Sequence, residues 1–571
     1  MAKNAEVARV LKEMGLLLEI DGANSFKVSA YSRGVRAISS LGEDIEAVVE
    51  RGTLTDIPGI GKGLSDVITS YLTTGRVQAL EDLRTRVPIR VLELDAVPGL
   101  GPKKIKILYE KLNVTDIESL ESAAKDGRIA DLPGFSEKSQ TQILEGLQVV
   151  RAGMERTLLA NALAEAERLE EFLSKIPDVR QFTIAGSTRR RRETIGDLDL
   201  LVDAANSEKI MDAFVHSEGV ATIIAHGATK SSVRLESGLQ IDLRVIPRES
   251  FGAGLQYFTG SVDHNVRLRA IAQKMDLRLN EYGLFKKEKK VAGEDEEGIY
   301  EALGLQWVPP ELRENQGEIE AAQSKSLPTL IDLNNMQGDL HSHTDQSDGK
   351  NTIHEMLDAA QRKQYKYFCV SDHTQSLTIA NGMDEARLLK RIDEIDDLNS
   401  SGRWKMKILK GAEVDILAKG DLDIVDSVLS QLDVVTVSIH SRMKDSKDVM
   451  TERVCHALED KHVHILGHPT GRLIGKRSEY EIDLGQVFEA ARNNGIVMEL
   501  NAHPQRLDLN AGNLRAAINA GLQIAINTDA HAVAELDYMR FGVYQARRGW
   551  LTPKNVINTF TLKKLMSVLS K

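Results

Sequence analysis

Two groups of residues in this chain have types and spacing that could do chemistry. The first lies in Gly186-Ser-Thr-Arg-Arg-Arg-Arg-Glu-Thr-Ile-Gly-Asp-Leu-Asp199. In an extended segment Asp197 and Asp199 share a face, because strand side chains alternate with period two. Paired carboxylates can hold two Mg²⁺ ions, one activating an attacking hydroxyl and one clamping a triphosphate. A third carboxylate is expected from a neighbouring strand. In Gln240-Ile-Asp-Leu-Arg-Val245, Ile241, Leu243 and Val245 face a core, which leaves Gln240, Asp242 and Arg244 on the opposite face. An isolated Asp-Leu-Asp reads as a solvated strand. With Gly186-Ser187 ahead and Asp242 behind, the pattern reads as a nucleotidyl-transfer centre.

The second group follows residue 335, where 11 of the 14 histidines lie, with none before residue 216. His341, His343, Asp348, His373, Glu413, His440, His468, Asp529 and His531 are candidate metal ligands. Imidazole suits Zn²⁺, Mn²⁺ or Fe²⁺, and the carboxylates allow more than one ion. A lone histidine on an apolar run is usually a packed core residue. Nine such groups at the ends of successive runs are too many to be packed core residues alone and point to bound metal. His354, His456, His462, His464 and His503 match no ligand position and read as structural.

The elements that position these groups follow from periodicity. Short apolar runs stop at Ser371-Asp-His373, Ser438-Ile-His440, Gly467-His468, Glu499-Leu-Asn501 and Asp529-Ala-His531, with helical segments between them. That alternation predicts a (β/α) barrel with its site at the strand C-terminal ends. Upstream, the apolar positions 159, 163, 166, 169 and 173 predict a helix leading to the strand Phe182-Thr-Ile-Ala185. Residues 233–245 read as a hairpin turning at Ser237-Gly238. Residues 1–150 read as short helices punctuated by Ile57-Pro-Gly-Ile-Gly61, Val97-Pro-Gly-Leu-Gly101 and Leu132-Pro-Gly-Phe-Ser136. Each phrase makes a tight turn before a helix and frees backbone N–H groups for a phosphate, with Lys62, Lys103 and Lys104 just beyond two of them.

Composition bounds the rest. A chain of 571 residues exceeds one core and predicts roughly three to five domains. No apolar run reaches the roughly 20 residues of a bilayer span, and no signal-peptide layout opens the chain, so a soluble cytoplasmic protein is expected. Two cysteines exclude a disulfide scaffold. A net charge of −11 argues against wholesale nucleic-acid binding and makes any DNA contact local.

The three N-terminal phrases resemble helix-hairpin-helix motifs, which grip the DNA backbone without reading sequence. Gly59, Gly61, Lys62, Gly99, Gly101, Lys103 and Lys104 are the contacts this implies, while the third phrase is degenerate at Ser136. Residues 153–250 resemble the palm of polymerase beta and its relatives, and residues 251–317 the thumb. By that resemblance Gly186, Ser187, Arg190 and Gly196 meet the dNTP phosphates, with Arg156 assisting. Asp197, Asp199 and Asp242 ligate Mg²⁺ or Mn²⁺, with Asp242 assisting deprotonation of the primer hydroxyl; Tyr257 and Phe258 crowd the sugar, Asn265 touches the base, and Gly260 and Arg269 complete the nucleotide pocket. One departure stands out: Gln240 replaces an arginine common in the animal enzyme, which opens the question of what tunes Asp242.

Residues 335–571 resemble the polymerase and histidinol phosphatase (PHP) class throughout. The resemblance implies three Mn²⁺ or Zn²⁺ ions: His341, His343, Glu413 and Asp529 around one, Glu413 bridging to a second held by His440 and His468, and Asp348, His373 and His531 around the third. The whole is similar to a bacterial or archaeal family X DNA polymerase. The expected architecture is multidomain: a helical 8-kDa-like region (1–85), a fingers-like region with further helix-hairpin-helix motifs (86–152), an α/β nucleotidyltransferase palm (153–250), a thumb (251–317), a linker (318–334) and a distorted (β/α) PHP barrel (335–571). The expected function is gap filling in DNA repair with 3′-5′ exonuclease, 3′-end processing and abasic-site incision, on gapped or nicked DNA with dNTPs, by a monomer that meets no membrane. The rival enzyme is a PHP repair phosphoesterase whose polymerase half only positions DNA. Val67 stands where animal polymerase beta carries its lyase lysine, so no N-terminal lyase is expected.

Overall fold

A computed structural model of the chain describes residues 2–39, 45–57, 59–87, 91, 94, 97, 100, 102–137, 139–141, 143–144, 147, 156–475 and 477–570. The chain divides into two compact units, residues 1–155 and 156–571. Among the described residues no helix is long and apolar enough to cross a membrane.

The first unit is helical. The helices Ala2–Ile20 and Ser25–Ser39 pack closely, and Leu11, Met14, Leu17, Ile38 and Ile68 lie in one core with Ile105, Leu108 and Leu120. Its first glycine phrase does what the sequence predicts: Gly59 is left-handed (φ +100°), the Ile60 N–H closes a turn on the Ile57 carbonyl, and Gly61 caps the helix Lys62–Thr74. Gly99 and Gly101 lie outside the described residues, as does the Lys103 side chain. Lys104 sits over the ring of Phe135, 5.4 Å from its centroid, which ties the second phrase to the third.

The second unit opens with the helix Leu159–Ser174, whose Leu159, Leu163, Ala166, Leu169 and Leu173 are all buried. It packs on a five-stranded sheet ordered Val179–Ile184, Asp197–Ala204, Gln240–Val245, Lys230–Leu235, Val220–His226. The predicted hairpin is present, with Gly238 left-handed in its turn. A three-stranded sheet (Arg278–Asn280, Gly283–Lys286, Lys289–Ala292) and the helices Phe251–Thr259, Val262–Lys274 and Glu296–Ala302 follow. The expected linker is more ordered than its composition suggests. It starts as the helix Glu318–Gln323, whose Ile319 and Ala322 enter the preceding core.

From residue 338 seven parallel strands lie side by side in sequence order: Gly338–Asp339, Tyr367–Val370, Lys407–Asp415, Val434–Ser438, Ile465–Leu466, Val497–Asn501 and Ile524–Asn527. A parallel bridge between Ser342 and Ala530 joins the first strand's exit to the last, so the barrel nearly closes. Parallel strands buried on both faces demand continuous apolar runs, and Val434, Val435, Val437, Ile524 and Ile526 supply them.

Candidate functional site

The first centre forms where two parallel strands begin. Asp197–Ala204 and Gln240–Val245 pair in a register that sets Asp199 directly opposite Asp242 and Asp197 opposite Gln240. Leu198, Leu200, Ile241 and Leu243 point the other way into the core, so alternation forces the three carboxylates to one face. Their crowding is unfavourable without cations. Burial, then the neighbouring Asp197 and Asp242, pushes Asp199 up to about 7. Such a donor set fits divalent ions that complete their shells with substrate oxygens.

Gly186 (φ +61°) makes room for this arrangement, since a Cβ there would lie 2.2 Å from Asp199 Oδ2. It opens the single turn Gly186–Arg189, which presents Ser187. Arg156 donates from Nε and Nη2 to Thr194 Oγ1 and O (2.9 and 2.6 Å), and its Nη1 lies 3.2 Å from where a Cβ on Gly196 would sit. Arg190 donates to Glu314 Oε1 (3.1 Å) and to the Thr259 carbonyl (2.5 Å), beside Gly260. Tyr257 and Phe258 meet edge to face, and the Arg244 guanidinium covers Phe258 at 4.4 Å. Asn265 is turned inward: Oδ1 accepts from Gln256 (2.6 Å) and Nδ2 donates to the Tyr257 carbonyl (2.7 Å). Arg269 lies half-buried one turn further along the same helix.

What tunes Asp242 is a residue that sequence reasoning missed. Gln240 Nε2 donates to its Oδ1 (3.0 Å), but the cation is Lys230, with Nζ 2.8 Å from Oδ2, and Arg244 stands 3.8 Å away. Burial pushes Asp242 up, yet hydrogen bonds from Lys230, Gln240 and Ser232 outweigh it and hold the carboxyl below its ordinary range. The available signal was pairing, since Ser232 lies opposite Asp242 and Lys230 opposite Arg244 across the hairpin.

The second centre gathers all nine expected ligands at the barrel's C-terminal mouth. His343, Asp348, His373 and His531 form one group, His341, His343, Glu413 and Asp529 another, and His373, Glu413 and His440 a third. Glu413 is the hub. Its Oε1 lies 3.0 Å from His468 Nε2 and 3.4 Å from His440 Nε2, and its Oε2 lies 2.9 Å from His373 Nδ1 and 3.3 Å from His341 Nε2. His343 Nε2 meets Asp529 Oδ1 at 2.9 Å, and His531 Nε2 lies 3.3 Å from Asp348. His341 Nε2, His343 Nδ1, His373 Nδ1 and Glu413 Oε2 are buried, and despite these short approaches none of them makes a contact with hydrogen-bond geometry among the described residues. Orphaned buried donors and acceptors are costly, and their convergence fits bound cations. His468 (φ +24°) and Asp529 (φ +52°) carry left-handed backbone to reach this point.

The groups also split electrostatically. Burial, with His531 and His373 nearby, drives His343 down to about 4. Burial lowers His440 as well, but Glu413 and Asp415 outweigh it and lift the imidazole to about 10. Glu413 is buried but held well below its ordinary range by His373, His341 and His440.

A supporting layer was missed as well. Glu499 is fully buried, with Oε1 2.7 Å from His341 Nδ1 and Oε2 accepting the His468 N–H at 2.7 Å. Asp415 lies 3.1 Å from His440 Nδ1. Such partners fix the tautomer and orientation of a ligating imidazole. Glu499 was visible as a lone carboxylate inside the run Val497–Asn501. Of the histidines outside the cluster, His464 Nδ1 accepts the Val435 N–H, His354 stacks on Trp404, and His503 packs against Tyr538.

Helix-hairpin-helix modules, a palm with three facing carboxylates, a thumb and a PHP barrel together define the class of family X DNA polymerases that carry a PHP domain. Family models agree: a helix-hairpin-helix domain matches residues 2–77, a SAM-like helix-hairpin-helix tandem 91–148, a DNA polymerase beta thumb 254–314 and a PHP domain 339–503. The DNA polymerase/3′-5′ exonuclease PolX of Bacillus subtilis is 40% identical over 573 residues, covering 99% of both chains. The chain belongs to this PolX family. DNA polymerase lambda of Arabidopsis thaliana is 26% identical over 50% of this chain and 57% of its own. A protein named as a probable phosphatase from Caldanaerobacter subterraneus is 29% identical over 34% of this chain and 75% of its own.

Proposed function

We propose that this chain fills short gaps in DNA by two-metal nucleotidyl transfer and trims the same 3′ ends by hydrolysis in its PHP barrel. Membership of the PolX family makes it a DNA polymerase and 3′-5′ exonuclease acting on DNA. The Asp199–Asp242 register, with Gly186 left free of a Cβ, carries the assignment of the polymerase site.

In that assignment Asp197, Asp199 and Asp242 would hold Mg²⁺ or Mn²⁺, which would lower the cost of deprotonating the primer 3′-hydroxyl and neutralise the triphosphate. Asp242, held below its ordinary range by Lys230 and Gln240, would assist that deprotonation. Gly186, Ser187, Arg190 and Gly196, with Arg156, receive the phosphates; Tyr257, Phe258 and Gly260 bound the sugar; Asn265 orders the Tyr257 backbone, and Arg269 lies on the same helix. In the barrel, His341, His343, Asp348, His373, Glu413, His440, His468, Asp529 and His531 would hold Mn²⁺ or Zn²⁺, which would supply an activated water. Gly59, Gly61, Lys62 and Lys104 grip the DNA backbone, within regions assigned as 1–85, 86–152, 153–250, 251–317 and 335–571. Incision at abasic sites falls to the same barrel.

The test is a 5′-labelled gapped duplex incubated with the purified protein, with and without dNTPs and Mn²⁺. Extension with dNTPs and shortening without them are expected. A duplex that is shortened but never extended would reduce the palm to a DNA-positioning platform.

A further inference from the structure

The PHP barrel reaches into the polymerase centre through one helix. Met539–Arg548 lies against the strand Ile524–Asn527, and a Cβ on its Gly542 would meet Ile526 Cγ2 at 2.5 Å and Ala502 Cβ at 2.7 Å, so the helix has no room to slide. Its last two residues leave the barrel. Arg547 pairs with Glu311 (2.7 Å). Arg548 Nη1 donates to the Arg190 carbonyl at 2.7 Å and to Glu314 Oε1 at 3.1 Å. The same Oε1 accepts from Arg190 Nε at 3.1 Å, while Oε2 faces Arg192 at 3.3 Å. One turn earlier, Tyr544 lies under the Arg191 guanidinium at 4.3 Å.

Three guanidiniums therefore share one carboxylate. Arg190, Glu314 and Arg548 are only 13%, 13% and 10% exposed, so solvent screens these two cations and their shared carboxylate poorly, whereas Arg192 is 47% exposed. Arg190 is held at its backbone by Arg548, at Nε by Glu314 and at Nη1 by Thr259, and its Nη2 makes no hydrogen bond among the described residues. A long side chain held in this way has already lost its rotamer freedom before an anion arrives, which lowers the cost of binding.

We propose that Arg548 of the PHP domain is a positioning residue for the polymerase reaction: with Glu314 it fixes Arg190 in the pose that receives the triphosphate of the incoming nucleotide. This rests on the reading of Arg190 as a phosphate ligand. It makes the barrel part of the nucleotide site independently of its own hydrolysis, and it puts the effect in nucleotide affinity.

The test is dNTP titration on a one-nucleotide gapped duplex in Mg²⁺, with hydrolysis of a 5′-labelled single strand in Mn²⁺ as the check on folding. Arg548→Met should raise the dNTP KM roughly ten-fold with kcat within about two-fold, and should leave single-strand hydrolysis unchanged. Arg548→Lys, which keeps the charge without the fork, should recover part of the loss. Because Arg548 acts through Arg190, the Arg548→Met/Arg190→Ala double variant should be no worse than Arg190→Ala alone. A wild-type KM in Arg548→Met, or additive losses in the double variant, would overturn the link while leaving the Arg190 reading intact. An unchanged KM in Arg190→Ala would instead remove that reading and the proposal with it. Should Arg548→Met lose single-strand hydrolysis as well, Glu314→Gln decides the matter by the same KM shift or its absence.

Discussion

The two proposed centres would hold cations against phosphate in opposite ways. The palm supplies three carboxylates from two strands, and Asp197 among them is exposed. The barrel brings nine candidate ligands together, with His341, His343, Glu413, His468 and Asp529 buried. A sparse, open set leaves coordination positions for the primer and triphosphate, so the substrate completes the site. A dense, buried set is complete before substrate arrives and depends on a second layer, Glu499 and Asp415, to aim its imidazoles. The proposed palm site would be completed by binding, whereas the barrel's candidate ligands are already gathered by folding.

The strongest way to break this contrast is to delete one ligand from each side. Asp199→Ala should abolish extension and spare hydrolysis, and His341→Ala should do the reverse, both read on the gapped duplex. Loss of both activities in either variant would mean that the centres are one. Chelation should separate them as well. After brief exposure to EDTA and gel filtration, added Mg²⁺ should restore extension at once, while hydrolysis should have survived in the buried cluster.

Next in size is the second layer. Glu499→Gln keeps the shape of the side chain but removes the charge that meets His341 and the His468 backbone. Roughly a 10- to 100-fold loss of hydrolysis or of metal affinity is expected, with extension unaltered. Metal content measured by atomic absorption would sharpen the result.

Smaller effects come from the joint between palm and thumb. Glu296 accepts two hydrogen bonds from Arg189 and another from Arg313, whose side chain is fully buried. Burial raises Glu296, but the two arginines outweigh it and bring it to about 2 from an ordinary 4.5. A depressed carboxyl stabilises the fold fully above the unfolded value and loses that contribution as pH falls through the folded one. The wild type should therefore lose stability between pH 4.5 and about 2, and Glu296→Gln should flatten that slope while costing about 3–5 kcal/mol at neutral pH. Denaturant melts across that window would show it.

The smallest expected effect is a null. Val67 packs partly buried against the helical core, where a lysine nucleophile would be needed for Schiff-base chemistry. Borohydride should trap no efficient adduct on an incised abasic duplex in EDTA. A strong adduct lost in Lys62→Ala would refute the absence of a lyase.

The sequence by itself determined the chemistry. Period-two alternation put Asp197, Asp199 and Asp242 on one face, and apolar runs ending in histidine marked each barrel strand, because strand geometry maps local spacing directly onto a surface. Only the tertiary structure decided which residues stand around those groups. Lys230 reaches Asp242 through a cross-strand register, Glu499 reaches His341 across 158 positions, and Arg548 reaches Arg190 across 358. Contacts of that span carry no local period, since each depends on how separate elements pack and not on the order of residues within one of them.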